Sequence, residues 1–254
     1  MSFTRISSIL LQRCLLFGAI VLLWWYASNK VPSFVLPSPA KVLDAVNALI
    51  HSASFSRDVA ATMNRVFSGF ALGTVAGTLA GLVLGANRKL ATFFEPVLAV
   101  LNTVSSAIWA IFAIIWFGIS DATTIFVVFM TAFPLILTNV WQGTRTVDRQ
   151  YVDLARSFRM SRLQILVKVY LPSILPYFFS GARLAFGFGW RVSLVAETLG
   201  SSNGIGYRLR QAADLVQSDK VFAWTVMLVT LMLIFESGLL KPLERFLSRW
   251  KQQS

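Results

Sequence analysis

Few side chains in this sequence are suited to chemistry, and most of those sit inside apolar runs. Arg65, Arg183, Arg191, Glu197 and Glu236 lie in or beside stretches that are otherwise almost free of charge. A charge in such a stretch is costly against lipid, so each must face protein or water. Two kinds of chemistry are open to them: internal ion pairing, or attraction of a charged solute. Arg183 and Arg191 differ by eight positions, a little over two helical turns, so they share roughly one helix face. With Glu197 they are candidates for lining a path across the membrane, Arg191 foremost. Pairing with Glu197 or Glu236, or snorkelling of Arg65 and Glu236 to an interface, is the structural alternative.

Other chemistries find little support. His51 is the one histidine and Cys14 the one cysteine, so no metal centre of common spacing is expected. The turn Gly200-Ser201-Ser202-Asn203-Gly204-Ile205-Gly206 lacks the lysine of a phosphate loop, and the full Gly-x-x-x-x-Gly-Lys-Ser/Thr pattern is absent throughout. An integral membrane enzyme is disfavoured because no loop gathers His, Cys and carboxylates.

These residues must be held by membrane-spanning helices. Of the 254 residues, 56% are hydrophobic and 13% charged, against about a quarter charged in soluble domains. A globule so poor in charge needs lipid as much of its solvent. Six apolar stretches approach spanning length: Ile9 to Ala27, Ala60 to Gly85, Phe93 to Ile119, Ala122 to Trp141, Pro176 to Leu199 and Val221 to Leu240. The third is interrupted by Asn102, Thr103, Ser105 and Ser106 and is expected to be tilted or broken. The second carries Gly69, Gly73, Gly77, Gly81 and Gly85, a small-residue row for close helix packing. Lys41 to Ser52 reads as a short amphipathic helix between spans.

Six spans put both termini on one side. Fourteen Lys/Arg lie in the N-terminus, the Asn87 turn, the 143–175 segment and the tail 241–254, against six in the opposite loops. The positive-inside rule places both termini in the cytoplasm, which accounts for the net charge of +12 without nucleic acid.

The segment 143–175 is far longer than a connection between spans requires. Val147 to Phe158 forms one amphipathic helix by pattern. Ser161 and Gln164 fit a capping box, and Leu163, Leu166, Val167 and Tyr170 recur at helical spacing until Pro172 and Pro176. Helix, turn and helix at the membrane surface read equally as a docking element or as a hairpin with a local role.

Asp153-Leu154-Ala155, three residues, Arg159, then Leu171-Pro172 resembles the signature loop of binding-protein-dependent ABC importer permeases, whose pattern runs Glu-Ala-Ala, three residues, Gly, then about a dozen residues to Leu-Pro. Gly181-Ala182-Arg183-Leu184-Ala185, Trp190, Ala196-Glu197, Gly204-Ile205-Gly206-Tyr207, Phe34 to Pro39 and Trp116-Phe117-Gly118 extend the likeness over nearly the whole chain. It is most similar to the subgroup serving nitrate, sulfonate, taurine and bicarbonate. Asp153, Leu154 and Arg159 depart from the pattern, and Ser105-Ser106 replaces a proline pair common in the subgroup.

The resemblance implies an all-α, six-span permease of type I importer form, a single domain over 1–254, in the bacterial inner membrane. It implies two separate ATPase subunits carrying ATP and Mg, docking at Asp153, Ala155, Arg159, Ser161, Leu171 and Pro172. Ala155 would be small so that the ATPase can approach. A second permease copy and a periplasmic or lipid-anchored solute-binding protein complete the assembly. No covalent catalysis and no cofactor are implied for this chain. Ser105 and Ser106 join the path candidates. A stand-alone secondary transporter or channel is the rival; it would not need the hairpin.

Overall fold

A computed structural model describes residues 3–240 and 242; among them every regular element is helical. The basic tail expected from Lys241 lies outside the described residues, apart from residue 242. In chain order the helices are α1 (Phe3–Ser28), α2 (Pro39–Ile50), α3 (Phe55–Ala86), α4 (Arg88–Thr103), α5 (Ser106–Phe117) and α6 (Asp121–Arg145). There follow α7 (Arg149–Ser157), α8 (Arg162–Ile165), a π-helical turn (Leu166–Tyr170), α9 (Leu171–Gly200), α10 (Ile205–Asp214), α11 (Ser218–Phe235) and a second π turn (Glu236–Leu240).

The helices fall into two compact units. One comprises residues 1–57 with 208–229, the other residues 58–207 with the chain from 230 onward. In the first, Trp24 Nε1 donates to the Pro37 carbonyl at 3.0 Å. The Trp24 ring stacks on Phe222, and Phe55 stacks on Trp224. Helix α2 starts where the sequence provides both a cap and a preset φ: Ser38 accepts from the Lys41 amide, and Pro39 stands in the first turn. Val42 and Ala45 are its buried face. His51 caps its end, exposed, with Nδ1 at 2.9 Å from the Asn47 carbonyl.

The second unit is organised around α6. Val127, Val128, Ala132, Ile136, Leu137 and Val140 are buried along its length. The glycine row of α3 lies directly on this helix. A Cβ on Gly69 would stand 2.6 Å from the Ile125 carbonyl oxygen; at Gly77 it would meet the Phe133 oxygen and at Gly81 the Leu137 oxygen, each at 2.8 Å. Real Cβ atoms do not approach backbone so closely, so the two helices can sit this near only where α3 has no side chain. Helix α9 covers another side of α6, burying Ile174, Ala182, Ala185, Phe186, Gly189, Trp190 and Ser193.

Among the described residues, four helices are long and apolar enough to cross a membrane: Phe55–Ala86, Asp121–Arg145, Arg162–Gly200 and Ser218–Gly238. A fifth crossing is made if α4 and α5 count together, and these two are bent by 93° at Val104–Ser105. The break expected in the third stretch is thus present, with Ser105 capping α5 through the Ala107 amide. The apolar part of α1 described, Leu15–Ser28, is shorter than a span, so the expected count of six is not reached on these criteria.

Candidate functional site

Two arrangements in the second unit could do work: a hairpin at one end and a buried ion cluster at the other.

The hairpin is built from the start of α7 to the end of the first π turn. Asp148 caps α7 by accepting from the Gln150 amide at 2.9 Å. Ser161 caps α8; its hydroxyl accepts from the Gln164 amide while Gln164 Oε1 accepts from the Ser161 amide, so the capping box expected from sequence is formed. Between them Arg159 has φ +54°, the left-handed conformation that glycine would adopt freely. An L-residue there is strained by about 1–2 kcal/mol. The amides of Arg159 and Met160 close the turn onto the carbonyls of Arg156 and Ala155.

Inside the hairpin Val152, Ala155 and Ile165 form a buried cluster with Met160, Val169 and Tyr170 against it. Ala155, expected to face an ATPase, is 5% exposed and faces this interior. Its methyl packs with Val152 of α7 and Ile165 of α8. The outward face of α7 instead carries Tyr151, Leu154 and Phe158, all more than half exposed at i, i+3, i+7 spacing. Asp153 is exposed beside Arg156, 3.4 Å away. A surface pair of this kind contributes little to stability. Pro172 and Pro176, expected to close the hairpin, do not: α8, the π turn and α9 run as one helix from Arg162 to Gly200. Pro172 falls in the first turn of α9, close behind the π turn. Pro176 lies inside the helix, as membrane helices tolerate. The second arm of the hairpin is therefore the start of the span itself, and Leu171 is its continuation.

At the far end of α3, α6 and α9, Arg65 is 1% exposed. Its Nη1 donates to Glu197 Oε1 at 2.8 Å and to the Asn203 carbonyl at 2.9 Å. Its Nε and Nη2 both donate to Asp121 Oδ1, at 2.8 and 2.5 Å, and Nη2 also donates to Asn203 Oδ1. Glu197 is fully buried and accepts two more bonds on Oε2, from the Thr62 hydroxyl and the Gly206 amide, both at 2.9 Å. Thr62 in turn accepts from the Ile205 amide at 2.9 Å, and Asp58 accepts from the Gly204 amide at 3.2 Å. Gly204 has φ +103°, and a Cβ on it would stand 2.7 Å from the Arg65 guanidinium. The turn after α9 is thus held by a buried charge pair.

Glu197 is thereby engaged in structural pairing. Among the other path candidates, Arg183 and Arg191 lie on the exposed face of α9, Ser105 is exposed at the α4–α5 break and Ser106 is half-buried. The ion cluster and the path candidates are not brought into one site. Sequence reasoning missed Asp58, Thr62, Asn203 and Asp121 as Arg65's company. Asp58, Thr62 and Arg65 at i, i+4, i+7 put three polar side chains on one face of an apolar helix, and that was the available signal. No group of three or more metal-ligating side chains occurs among the described residues.

Residues 69–240 match the family model described as "Binding-protein-dependent transport system inner membrane component". The chain belongs to this family. It is the multi-pass inner-membrane permease of an ATP-driven importer, and works with a separate ATPase and a solute-binding protein. Among curated relatives, the permease is 30% identical to the Bacillus subtilis protein named "Putative aliphatic sulfonates transport permease protein SsuC", over 93% of this chain and 87% of that one. It is 36% identical to the bicarbonate transport system permease protein CmpB of Synechococcus elongatus, over 58% of this chain and 53% of that one. Its fold is shared by a chain of the MetNI methionine ABC transporter in an inward-facing structure, with a TM-score of 0.65, 20% identity, and coverage of 76% of the permease and 95% of that chain.

Proposed function

We propose that the permease acts as a pair of identical copies, carries a small anion of the sulfonate, taurine, nitrate or bicarbonate class, and is driven through the hairpin 149–170 by two ATPase subunits. The substrate class rests on the named relatives, two of which are named for sulfonates and bicarbonate. The drive rests on one observation: α7 and its C-cap present Tyr151, Leu154 and Phe158 outward while the inner face is packed on α8 and the π turn that lead into α9. An exposed apolar stripe on an ordered helix is a seat for another protein, and motion imposed on it passes to the span with no flexible joint. In this reading the hairpin and both termini face the cytoplasm, α1 is a further crossing, ATP and Mg belong to the ATPase, and the permease makes and breaks no covalent bond.

Leu154→Arg tests it. The side chain is 56% exposed and outside the hairpin's own core. The variant should insert and melt like the parent, yet lose co-purification with the ATPase and lose ATP-dependent uptake. Retained uptake, or uptake that follows an ion gradient and ignores ATP, would instead favour a stand-alone transporter.

A further inference from the structure

Arg191 is placed where a lone cation has no structural reason to be. It lies nine residues before the end of α9, about 14 Å along the helix axis from Gly200. That is well inside a hydrocarbon layer about 30 Å thick, beyond easy reach of the headgroups. It is exposed on this chain, its guanidinium carbon sits 5.6 Å from the centre of the Phe188 ring, and no carboxylate pairs with it among the described residues. Exposure to lipid at that depth is strongly unfavourable, so the face of α9 that carries it meets water or protein.

A second observation points to the same place. The residues flanking Arg191, Phe188 and Val192, line a cleft of about 230 Å³ whose other wall is the α4–α5 break: Asn102, Ser106 and, from α6, Thr131. Interrupted backbone at membrane depth persists only where it is buried in protein or lines a watery cavity. A broken span and an unpaired arginine therefore adjoin one cleft.

We infer that Arg191 is the charge that receives an anionic solute midway across the membrane, drawing it to the cleft at the α4–α5 break and rejecting cations. This rests on the importer reading for the existence of a path and for an anionic cargo, and assigns the residue that receives it. Phe188 lies beside the guanidinium without neutralising it, which leaves its donors for a sulfonate or carboxylate oxygen.

The experiment uses the assembled transporter carrying Cys14→Ser and Val195→Cys. Val195 is exposed one turn beyond Arg191 on the same helix. The introduced thiol is modified with an anionic reagent, 2-sulfonatoethyl methanethiosulfonate, and a cationic one, 2-(trimethylammonium)ethyl methanethiosulfonate. Both should react, with the anion favoured, and Arg191→Gln should lower the anion-to-cation rate ratio by about tenfold. Arg191→Lys should hold it within about twofold, since it keeps the charge. A thiol that neither reagent reaches, or a ratio unmoved by Arg191→Gln, as when Arg191 pairs with a carboxylate of a neighbouring copy, overturns the inference. If Arg191→Gln does not assemble, the ratio measured with Val195→Cys is compared with that of Leu199→Cys, one turn farther from the charge; a ratio no higher at position 195 is equally fatal. No transported solute is needed. Failure here with ATP-driven uptake intact removes only the inference, and loss of ATP dependence in the parent removes only the importer reading.

Discussion

Glu197→Gln should destabilise the permease by about 3 kcal/mol although it changes one atom. Both carboxylate oxygens accept: Oε1 from Arg65, Oε2 from Thr62 and the Gly206 amide. A glutamine has one acceptor oxygen. With its nitrogen in the Oε1 position, two donors face each other and Arg65 loses a charge-assisted bond, worth about 1.5–3 kcal/mol. With the nitrogen in the Oε2 position, the buried Gly206 amide is orphaned at about 1–3 kcal/mol. Thr62 relieves little: its second lone pair can accept from the glutamine nitrogen, but its own hydroxyl proton then loses Oε2 and the Gly206 amide stays unpaired. Either orientation also leaves Arg65 without its buried counter-charge, only the partly exposed Asp121 remaining. Removing one member of a buried pair costs about 3–5 kcal/mol in general, and retention of one acceptor puts Gln at the lower edge. The assay is unfolding of the purified permease in mixed micelles, followed by tryptophan fluorescence. A shift under about 1 kcal/mol, the net worth of a single ordinary hydrogen bond, would refute the assigned network.

Gly77→Ala should cost about 2 kcal/mol in the same assay, because the new methyl meets the Phe133 backbone oxygen at 2.8 Å and overpacking outweighs better helix propensity. Gly18→Ala, with nothing within 4 Å of the added carbon, should be neutral or slightly stabilising. At Arg159, glycine should raise hydrogen-exchange protection of the hairpin amides and valine should lower it roughly tenfold, since a β-branched residue suffers most at φ +54°; equal protection in all three would remove the strain. Ala155→Arg should unravel the hairpin itself, seen as rapid proteolysis between 149 and 165, in contrast to the folded but uncoupled Leu154→Arg.

Local pattern carried the sequence reading a long way. The glycine row of α3, the capping box at Ser161 and the break near Ser105 are each written in neighbouring residues, and each takes its expected form. What escaped depended on pairing across distance or on which face turns inward. Arg65 meets Asp121 and Glu197 across 56 and 132 positions, which no periodicity encodes. Ala155 could be placed on α7 from sequence, but whether its methyl served the hairpin or a partner was fixed only when Ile165 folded back onto it. Pro172 and Pro176 misled because a proline is accommodated in a first turn behind a π turn, and because a membrane helix tolerates one in its interior where neighbouring groups satisfy the freed carbonyl.

The close seam between α3 and α6 has a mechanical corollary. Helices whose side chains interdigitate can creep past one another by swapping rotamers. Here backbone lies against backbone from Gly69 through Gly81, and the ends are pinned by salt-linked side chains on one rim. No low-friction slip plane is left between these two. Any alternation of access must be accommodated elsewhere, with this pair travelling as a single plate and whatever surrounds it yielding.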